Sequence, residues 1–572
     1  MTTDTLKSRL AYEPQALTFG TSGRRGEVIH LTQLEVYLNA LAELEYLQSL
    51  NLDEGGIKPG DVFFFGLDLR PSSCRYVEEA QGRGELAQAI VQAICDAGMK
   101  PVNLGTIPTP ALTSYALSLG KGSIMVTGSH IPFDRNGYKV NTSRGELLKI
   151  HEAPINERVR RVRERLYGQS YAESLFDETG RLKTGHQTLP AADGVGAAAY
   201  QQRYVDFFGD VSLEGTRLLV YQHSAVGRDL LVDILRKLGA DAIPAGRSET
   251  FIPIDTENMD AAQLQAIQAL HDEAAAAHGC FDAVVSTDGD SDRPLILGLE
   301  EGRVRFFGGD LVGMVTAQYL GADAVAVPIS CNDAIDRGAL RDLLLPKTKI
   351  GSPFVIARMA QALAQGKRAV CGFEANGGFL TGSAITREGK TLAALPTRDA
   401  LLPLLAVLYA AKSQGLSLSQ LFGLLPKRYS RAALIKQFPR PVSLKIVDRY
   451  SPAAPQISEA VFAADGILLL DAEGKTLQGL DAESQTLQTI AQELAGFFAP
   501  ESGFGAIAKL NYVDGVRLYF ANGEVAHLRP SGNADELRIY AVADSQARAD
   551  AIAARAVAEP DGILRRLERR VL

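Results

Sequence analysis

Two short stretches of the chain carry residues that could do chemistry together. Residues 127–139 place Ser129 in a glycine-bearing loop with Lys139 close behind it, and residues 288–293 place aspartates at 288, 290 and 292. Alternate residues of an extended loop point to the same side, so three carboxylates can converge on one hard cation. A phosphorylatable serine facing a divalent metal indicates phosphoryl transfer, which depends on positioning and charge neutralisation.

The acidic stretch has two other interpretations. An EF-hand loop fails, because Arg293 occupies the position that needs glycine and no glutamate stands at the twelfth position. A solvated acidic turn would leave three carboxylates repelling one another without a cation. We therefore expect Asp288, Asp290 and Asp292 to hold a metal ion.

Ser129 is distinguished by its setting rather than by its type. Most serines in such loops are turn residues, and no Gly-x-Ser-x-Gly elbow of a hydrolase surrounds this one. A predicted strand precedes Ser129, His130 follows it, and Lys139 lies one loop downstream. Lys139 could act as a proton carrier or a charge clamp, with a solvated surface lysine as the alternative.

Two further stretches have the residues of phosphate-binding loops. In Arg529–Arg538, arginine offers bidentate charge-assisted hydrogen bonds, and Ser531, Gly532 and Asn533 add hydroxyl and backbone donors. Thr18–Gly26 has the same character, with glycine turns and the arginines at 24 and 25. Taken alone, each of these sequences is also typical of an ordinary turn between strands.

The elements that must position these motifs form a repeated α/β pattern. Three segments each predict a strand, a helix and a closing strand: Val62–Gly66, Glu85–Ala97 and Ser123–Thr127; Arg217–Gln222, Arg228–Leu238 and Asp282–Thr287; Ala324–Ile329, Pro353–Ala364 and Arg368–Phe373. Each closing strand runs into an unusual polar loop. Because ligands gather at the carboxyl ends of strands in open α/β sheets, the three loops could aim at one cleft.

The C-terminal part has a different pattern. Strand-like runs at Lys509–Val513, Val516–Phe520, Glu524–Leu528 and Glu536–Val542 are joined in part by Asp-Gly and Asn-Gly turns, and a helix follows from about Ser545 to Val557. We expect three similar α/β mixed-sheet domains (1–205, 206–307, 308–428) and a C-terminal α+β domain (429–572) around a central cleft. Segments 151–205 and 430–500 look less regular, like insertions or elaborated connections.

Composition limits the classes of partner. The 572 residues suggest about four domains, and a net charge of −8 argues against a general nucleic-acid binder. The apolar run at 400–411 is too short to span a bilayer, and the first residues do not have the pattern of a signal peptide. Five unpaired-looking cysteines favour a cytoplasmic protein with free thiols. We expect no membrane and no nucleic-acid partner.

In order along the chain, these stretches resemble the loops of the α-D-phosphohexomutase family. Its usual loops read Thr-Ala-Ser-His-Asn-Pro, Asp-Gly-Asp-Gly-Asp-Arg, Gly-Glu-x-Ser-Gly and Arg-x-Ser-Gly/Asn-Thr. The matching stretches here are Thr127–Pro132, Asp288–Arg293, Phe373–Gly378 and Arg529–Asn533, with Thr18–Gly26 as the opening signature. The resemblance spans nearly the whole chain in the family's order.

The resemblance implies a phosphoserine enzyme that moves phosphate within a hexose phosphate through a hexose 1,6-bisphosphate, which also serves as activator. Ser129 would carry the phosphate, and Mg²⁺ would be held by that group and the three aspartates. Arg24, His130 and Lys139 would act at the reacting oxygen. The implied substrate-binding residues are Arg293, Lys349, Ser352, Glu374, Asn376, Arg529, Ser531, Gly532, Asn533 and Arg538.

Departures from the family pattern leave the reaction class intact and concern mainly the sugar. Gly128 and Ile131 replace the usual alanine and asparagine, Ser291 replaces a glycine, Asn376 replaces a serine, and Gly378 stands where some members carry histidine. The sugar loop is most like that of bacterial phosphomannomutases, which implies mannose 6-phosphate and mannose 1-phosphate as substrates of a monomer or homodimer. Phosphoglucomutase and phosphoglucosamine mutase are alternatives within the family. A phosphoserine-dependent sugar phosphatase and a non-catalytic sugar-phosphate-binding protein are alternatives outside it.

Overall fold

The structure is a computed structural model that describes residues 4–20, 22–257, 259–463, 466–531 and 535–572. The chain forms two compact units. Unit 1 comprises Met1–Asp323 and Met359–Phe422, and unit 2 comprises Ala324–Arg358 and Gly423–Leu572. Within the described ranges, no helix combines the length and apolar character that crossing a membrane requires. The four domain boundaries stay a prediction.

The first sheet of unit 1 is mixed. Its region contains the strands β1 (Thr18–Phe19), β2 (Arg24–Glu27), β3 (Val62–Leu67), β4 (Tyr76–Val77), β5 (Arg83–Gly84), β6 (Lys100–Thr106), β7 (Ser123–Val126), β8 (Arg135–Thr142) and β9 (Gly145–Glu146), and the helices α1 (Leu6–Arg9), α2 (Gln33–Ser49), α3 (Leu86–Asp96), α4 (Thr109–Ser118), α5 (Glu152–Gly168) and α6 (Val195–Phe208). The sheet order is β1-β2-β8-β7-β3-β6, with β9 beside β8, while β4 and β5 pair separately. β3 runs parallel to β6 and β7, and β8 returns antiparallel to β7.

The core of this region lies between the sheet and its helices. Strand β3 is almost continuously apolar, as expected of a strand covered on both faces, and its Phe63 and Phe65 are fully buried in one cluster with α2 and α3. Helix α2 begins after Thr32, whose hydroxyl accepts a hydrogen bond from the Glu35 amide at 3.1 Å and so satisfies a free donor of the first turn.

A second mixed sheet repeats the order of four strands of the first, β6-β3-β7-β8. It contains β10 (Arg217–His223), β11 (Asp241–Arg247), β12 (Ala283–Thr287), β13 (Pro294–Glu300) and β14 (Arg303–Phe306), with helices α7 (Arg228–Lys237) and α8 (Ala261–His278). Its order is β11-β10-β12-β13-β14, with β10 parallel to β11 and β12 and with β13 antiparallel to β12. The acidic loop after β12 therefore holds the same topological position as the serine loop after β7.

The third strand–helix–strand segment is shared by the two units. Its elements are α9 (Gly309–Tyr319), β15 (Ala324–Ala326), α10 (Ser352–Ala364), β16 (Val370–Phe373), β17 (Phe379–Thr381), β18 (Ile385–Arg387), β19 (Lys390–Leu392), β20 (Leu395–Asp399), α11 (Leu401–Gln414) and α12 (Leu418–Gly423). Strand β17 runs antiparallel to β16 and β20, so the sugar loop joins an antiparallel pair just as the first two loops do. The expected strand at Ala324–Ile329 is shorter and ends at Ala326, and Pro328 continues only as an isolated parallel bridge to Thr348.

Unit 2 contains the C-terminal antiparallel sheet. Its strands are β21 (Tyr429–Lys436), β22 (Glu459–Ala463), β23 (Gly466–Leu470), β24 (Ile507–Asn511), β25 (Val516–Phe520), β26 (Val525–Pro530) and β27 (Glu536–Ala543), and its helices are α13 (Arg440–Arg449), α14 (Asp481–Ala495), α15 (Gln546–Val557) and α16 (Ile563–Val571). The order is β21-β27-β26-β25-β24-β22-β23. Gly515 and Gly523 turn two of the hairpins with φ of +85° and +82°. The predicted mixed α/β class with a C-terminal antiparallel sheet is confirmed.

Two segments that we expected to be irregular contain regular elements. Residues 430–500 form most of β21, then α13, β22, β23 and α14. Helix α14 buries Leu487, Ile490, Ala491 and Leu494, at the spacing of an amphipathic helix facing the core. That periodicity is present in the sequence, so the expectation for 430–500 was wrong. Helices α5 and α6 occupy much of 151–205 and leave a less regular connection between them.

Candidate active site

The serine loop and the acidic loop meet within unit 1. The Ser129 hydroxyl donates a hydrogen bond to Asp288 Oδ2 at 2.8 Å. Ser129 is buried and has a φ of +53°, a strained conformation for a non-glycine residue. Its amide donates to Thr127 Oγ1 at 2.7 Å, and His130 Nδ1 lies 3.4 Å from its hydroxyl. In this conformation the hydroxyl lies beside a carboxylate, which suits a group that accepts a phosphoryl group.

A buried ion pair that sequence reasoning missed holds the serine loop. The Gly128 amide donates to Asp68 Oδ2 at 3.2 Å, and Arg70 Nη2 donates to the Ser129 carbonyl at 3.0 Å. Arg70 also donates to three more loop carbonyls, those of Ile131, Pro132 and Arg135. A Cβ on Gly128 would lie 2.5 Å from Arg70 Nε, which explains glycine at this position. The signal was available, since Asp68 follows the carboxyl end of β3.

The three aspartates form a compact buried cluster. Asp288, Asp290 and Asp292 each offer a carboxylate oxygen, and these oxygens lie within 4.8 Å of one another. Asp290 Oδ1 and Asp292 Oδ1 are buried without a hydrogen-bond partner. A hard divalent cation such as Mg²⁺ binds to anionic oxygen ligands, and these two unpaired carboxylate oxygens are ligands of that kind. The residues present therefore fit the predicted metal ion.

Lys139 is part of this cluster and not a surface lysine. Its side chain is buried, and Nζ donates to Asp290 Oδ2 at 2.7 Å and to Asp292 Oδ2 at 2.6 Å. Thr109 Oγ1 also donates to Asp290 Oδ2, at 2.6 Å. Lys139 thus contacts two of the three carboxylates and offsets part of their negative charge.

The electrostatics of the cluster are uneven. Burial and repulsion by its two neighbours raise the pKa of Asp288 well above its ordinary value. Burial would also raise the pKa of Asp290, but Lys139 outweighs it and lowers that pKa. Burial, followed by the charge of Arg293, lowers the pKa of His130 well below its usual range, so this imidazole is neutral at pH 7. A neutral imidazole can accept or donate a proton at the serine hydroxyl.

The structure corrects the expectation for Arg24. Its guanidinium is buried in the core, where Nε donates to Glu43 at 2.6 Å and Nη1 donates to the Leu17 carbonyl at 2.8 Å. Consecutive residues of β2 face opposite sides of the sheet. Arg25 therefore points the other way, and the charges of Asp290 and Asp292 act on its pKa, which burial lowers to about 10. Arg24 therefore lies in the core, and we expect Arg25 to take the role that the sequence predicted for Arg24.

The sugar loop is tied to the acidic loop through an unpredicted arginine. Arg398, at the end of β20, contacts both Asp292 and Glu374. Glu374 and Asn376 are buried, and Asn376 Oδ1 accepts a hydrogen bond from the Gly378 amide at 2.9 Å. Arg293 Nε lies 3.6 Å from Asp292 Oδ1. Unit 1 thus brings these predicted residues together with the serine and the aspartates.

Unit 2 contains the remaining predicted residues. Asp514 Oδ2 accepts hydrogen bonds from Arg529 Nε at 3.1 Å and from the Ile350 amide at 2.9 Å, which connects two of the predicted binding stretches. Lys349 is exposed and Ser352 is buried. Arg538 lies opposite Arg529 on the neighbouring strand and donates to Glu536. Ser531 is buried, while Gly532 and Asn533 lie outside the described residues.

The fold and the site define an enzyme that transfers phosphate within its substrate. Family models match three stretches: phosphoglucomutase/phosphomannomutase alpha/beta/alpha domain I at residues 16–166, alpha/beta/alpha domain III at 308–429 and the C-terminal domain at 480–559. The chain belongs to the phosphoglucomutase/phosphomannomutase family.

Individual relatives agree with this assignment. The chain is 36% identical to a phosphomannomutase of Sinorhizobium fredii, with 94% of this chain and 98% of that protein covered. It is 35% identical to a phosphomannomutase of Salmonella muenchen, with 93% and 92% covered. A putative phosphomannomutase structure from Thermus thermophilus shares the fold with a TM-score of 0.59 and 20% identity, covering 94% of this chain and 98% of that one. A phosphoglucomutase/phosphomannomutase family structure from Burkholderia thailandensis shares the fold with a TM-score of 0.60 and 17% identity, covering 93% of this chain and 94% of that one.

Proposed function

We propose that this enzyme interconverts mannose 6-phosphate and mannose 1-phosphate through a phosphoserine at Ser129 and a hexose 1,6-bisphosphate. The observation that carries the proposal is the hydrogen bond of 2.8 Å from the Ser129 hydroxyl to Asp288, within a buried cluster that fits a cation. The two phosphomannomutases that match nearly the whole chain favour mannose phosphates as substrates.

In this mechanism, Asp288, Asp290 and Asp292 would hold Mg²⁺, which would neutralise charge on the transferred phosphoryl group. Arg25 and Lys139 add fixed positive charge beside the reacting oxygens. The sugar hydroxyl attacks the phosphorus of phosphorylated Ser129, so that the sugar O–P bond forms as the serine O–P bond breaks. The proton that the sugar hydroxyl loses passes to the serine oxygen by way of His130, which lies beside that oxygen. After the bisphosphate has reoriented, the same step in reverse moves its other phosphoryl group to Ser129.

Other residues are proposed to bind the sugar phosphate. Glu374 and Asn376 contact sugar hydroxyls, and Arg293 contacts the reacting end. The phosphate that is not being transferred would be bound by Arg529, Ser531, Gly532, Asn533 and Arg538. Lys349 and Ser352 belong to a stretch that resembles a specificity loop and would contact the substrate. A hexose 1,6-bisphosphate also primes the serine as activator. We propose a cytoplasmic monomer or homodimer without a nucleic-acid partner, in keeping with the free thiols of Cys74, Cys95, Cys280 and Cys371.

One assay series tests the proposal. Purified protein is given mannose 1-phosphate with Mg²⁺ and a trace of glucose 1,6-bisphosphate, and mannose 6-phosphate and free phosphate are measured in parallel. We expect mannose 6-phosphate to form, with negligible free phosphate and no turnover in excess chelator. Release of free phosphate as the main product would identify a phosphatase instead. The same assay with glucose 1-phosphate and glucosamine 1-phosphate shows which sugar phosphate is converted fastest.

A further inference from the structure

We infer that Arg398 is a positioning residue that couples the metal-binding loop to the sugar loop, so that it sets the affinity for both Mg²⁺ and the sugar phosphate. The inference rests on the proposed function and assigns a role to a residue outside the motifs of the sequence.

Arg398 bridges two buried carboxylates from different loops. Its Nε and Nη2 lie 3.1 Å and 3.0 Å from Asp292 Oδ2, and its Nη1 lies 3.2 Å from Glu374 Oε2. The Arg398 side chain is itself only 5% exposed. Burial alone would lower the pKa of Arg398, but Asp292 and Glu374 raise it well above its ordinary value. The guanidinium is therefore a permanent buried cation shared by the two loops.

The neighbours of Arg398 fix its backbone. Thr397 Oγ1 donates a hydrogen bond to Glu146 at 2.6 Å, and Asp399 Oδ1 accepts hydrogen bonds from Tyr200 at 2.5 Å and from the Leu401 amide at 2.9 Å. With both flanking residues anchored, the guanidinium projects from a rigid strand end. A rigid support is what a residue needs in order to hold two loops in a fixed relation to one another.

The glycine of the sugar loop makes room for this arginine. A Cβ on Gly378 would lie 2.5 Å from Arg398 Cδ and 2.6 Å from Cγ. A side chain at position 378 and the observed path of Arg398 exclude one another.

The bridge has a direct consequence for both ligands. Arg398 and Lys139 occupy Asp292 Oδ2, which leaves Asp292 Oδ1 without a hydrogen-bond partner and available to a cation. The same guanidinium fixes Glu374 Oε2 and so orients the carboxylate that is proposed to contact sugar hydroxyls. Residues that orient metal ligands in this way typically change metal affinity about 10–100-fold when removed.

Binding measurements without turnover test the inference. In a Ser129→Ala background, calorimetry gives the dissociation constants of Mg²⁺ alone and of mannose 6-phosphate alone. We expect Arg398→Met to weaken both about tenfold or more. Arg398→Lys should recover less than half of the loss on a logarithmic scale, because one ammonium group cannot reproduce a planar two-carboxylate bridge. Arg387→Met is the matched control, because Arg387 binds the Tyr319 carbonyl and Glu388 outside the site, and it should leave both constants unchanged.

A double-mutant cycle tests the coupling itself. Glu374 does not belong to the acidic loop, yet Glu374→Gln should weaken Mg²⁺ binding about threefold or more while Arg398 is present and have no effect in Arg398→Met. Gly378→Ala tests the same bridge without removing the guanidinium. The added methyl group should displace Arg398 and so weaken the binding of both Mg²⁺ and mannose 6-phosphate. Wild-type affinities in Arg398→Met and Gly378→Ala, in a protein whose parent turns over mannose phosphates, would overturn the inference. Absence of turnover in that parent would instead count against the proposed function.

Discussion

At the scale of single residues, the site balances buried negative charge with cations drawn from separate elements. Asp288, Asp290 and Asp292 are fully buried, and their counter-charges come from Lys139 on β8 and Arg398 at the end of β20. A buried charge without a partner is costly, and breaking one buried pair leaves the other partner uncompensated. Each cation therefore affects more than the contact it makes.

Replacing each of the two adjacent arginines of β2 with methionine should affect different properties, activity in one case and stability in the other. Arg25→Met removes positive charge from the site and should lower kcat about 10²- to 10³-fold, with little change in stability. Arg24→Met leaves Glu43 buried without its partner and should lower the free energy of unfolding by about 3–5 kcal/mol. Steady-state kinetics and urea unfolding of both variants check this. Normal turnover in Arg25→Met would contradict a role for Arg25 in the site.

At the scale of elements, the site depends on loops that follow β7, β12 and β16. The strands were predictable, because apolar runs such as Val62–Leu67 bounded by turn residues have few other interpretations. The acidic and serine loops were predictable because their own residues carry the chemistry. The ion pair of Asp68 and Arg70 left a signal, since Asp68 follows the carboxyl end of β3, but the loop carbonyls that Arg70 binds are far away in sequence. Arg398 left no signal, because Asp292 and Glu374 are far away in sequence. Arg24 was chosen over Arg25 because the sequence does not show which face of a short strand meets the site.

The fit of Gly128 against Arg70 gives a prediction at this scale. Gly128→Ala places a methyl group against the guanidinium and should cost about 1–3 kcal/mol of stability. Because the same guanidinium holds the Ser129 carbonyl, the variant should also be phosphorylated more slowly by glucose 1,6-bisphosphate. Gly194→Ala is the control, since its added Cβ meets nothing within 4 Å. If the two variants had equal phosphorylation rates, Arg70 would not position the loop.

At the scale of the whole molecule, the chain forms two units, and each contains proposed site residues and a buried histidine with a lowered pKa. Burial lowers the pKa of His223 in unit 1 to about 4 and that of His527 in unit 2 to about 3. Histidine in an unfolded chain has a pKa of about 6.5. Between about pH 6.5 and pH 4, these histidines are protonated in the unfolded chain and neutral in the folded chain. The free energy of unfolding therefore falls as the pH drops below about 6.5 towards 4.

His527 offers a clean test of that pH dependence. Its Nε2 lies 2.5 Å from the Asp514 carbonyl, and His527→Gln can keep an N–H donor there while removing the titration. Between pH 6.5 and 5 the wild type should lose up to about 1.4 kcal/mol per pH unit for each such histidine. The variant should lose correspondingly less, as measured by urea midpoints at both pH values. Identical pH dependence in the two proteins would contradict the buried neutral state of His527.

The central claim is that Ser129 carries the phosphoryl group. Purified enzyme incubated with glucose 1,6-bisphosphate and Mg²⁺ is analysed by intact mass spectrometry and peptide sequencing, before and after addition of mannose 6-phosphate. We expect one phosphoryl group per chain, located on Ser129, which disappears when the sugar phosphate is added and never forms in Ser129→Ala. Phosphate on another residue, or undiminished mutase turnover in Ser129→Ala, would contradict the account.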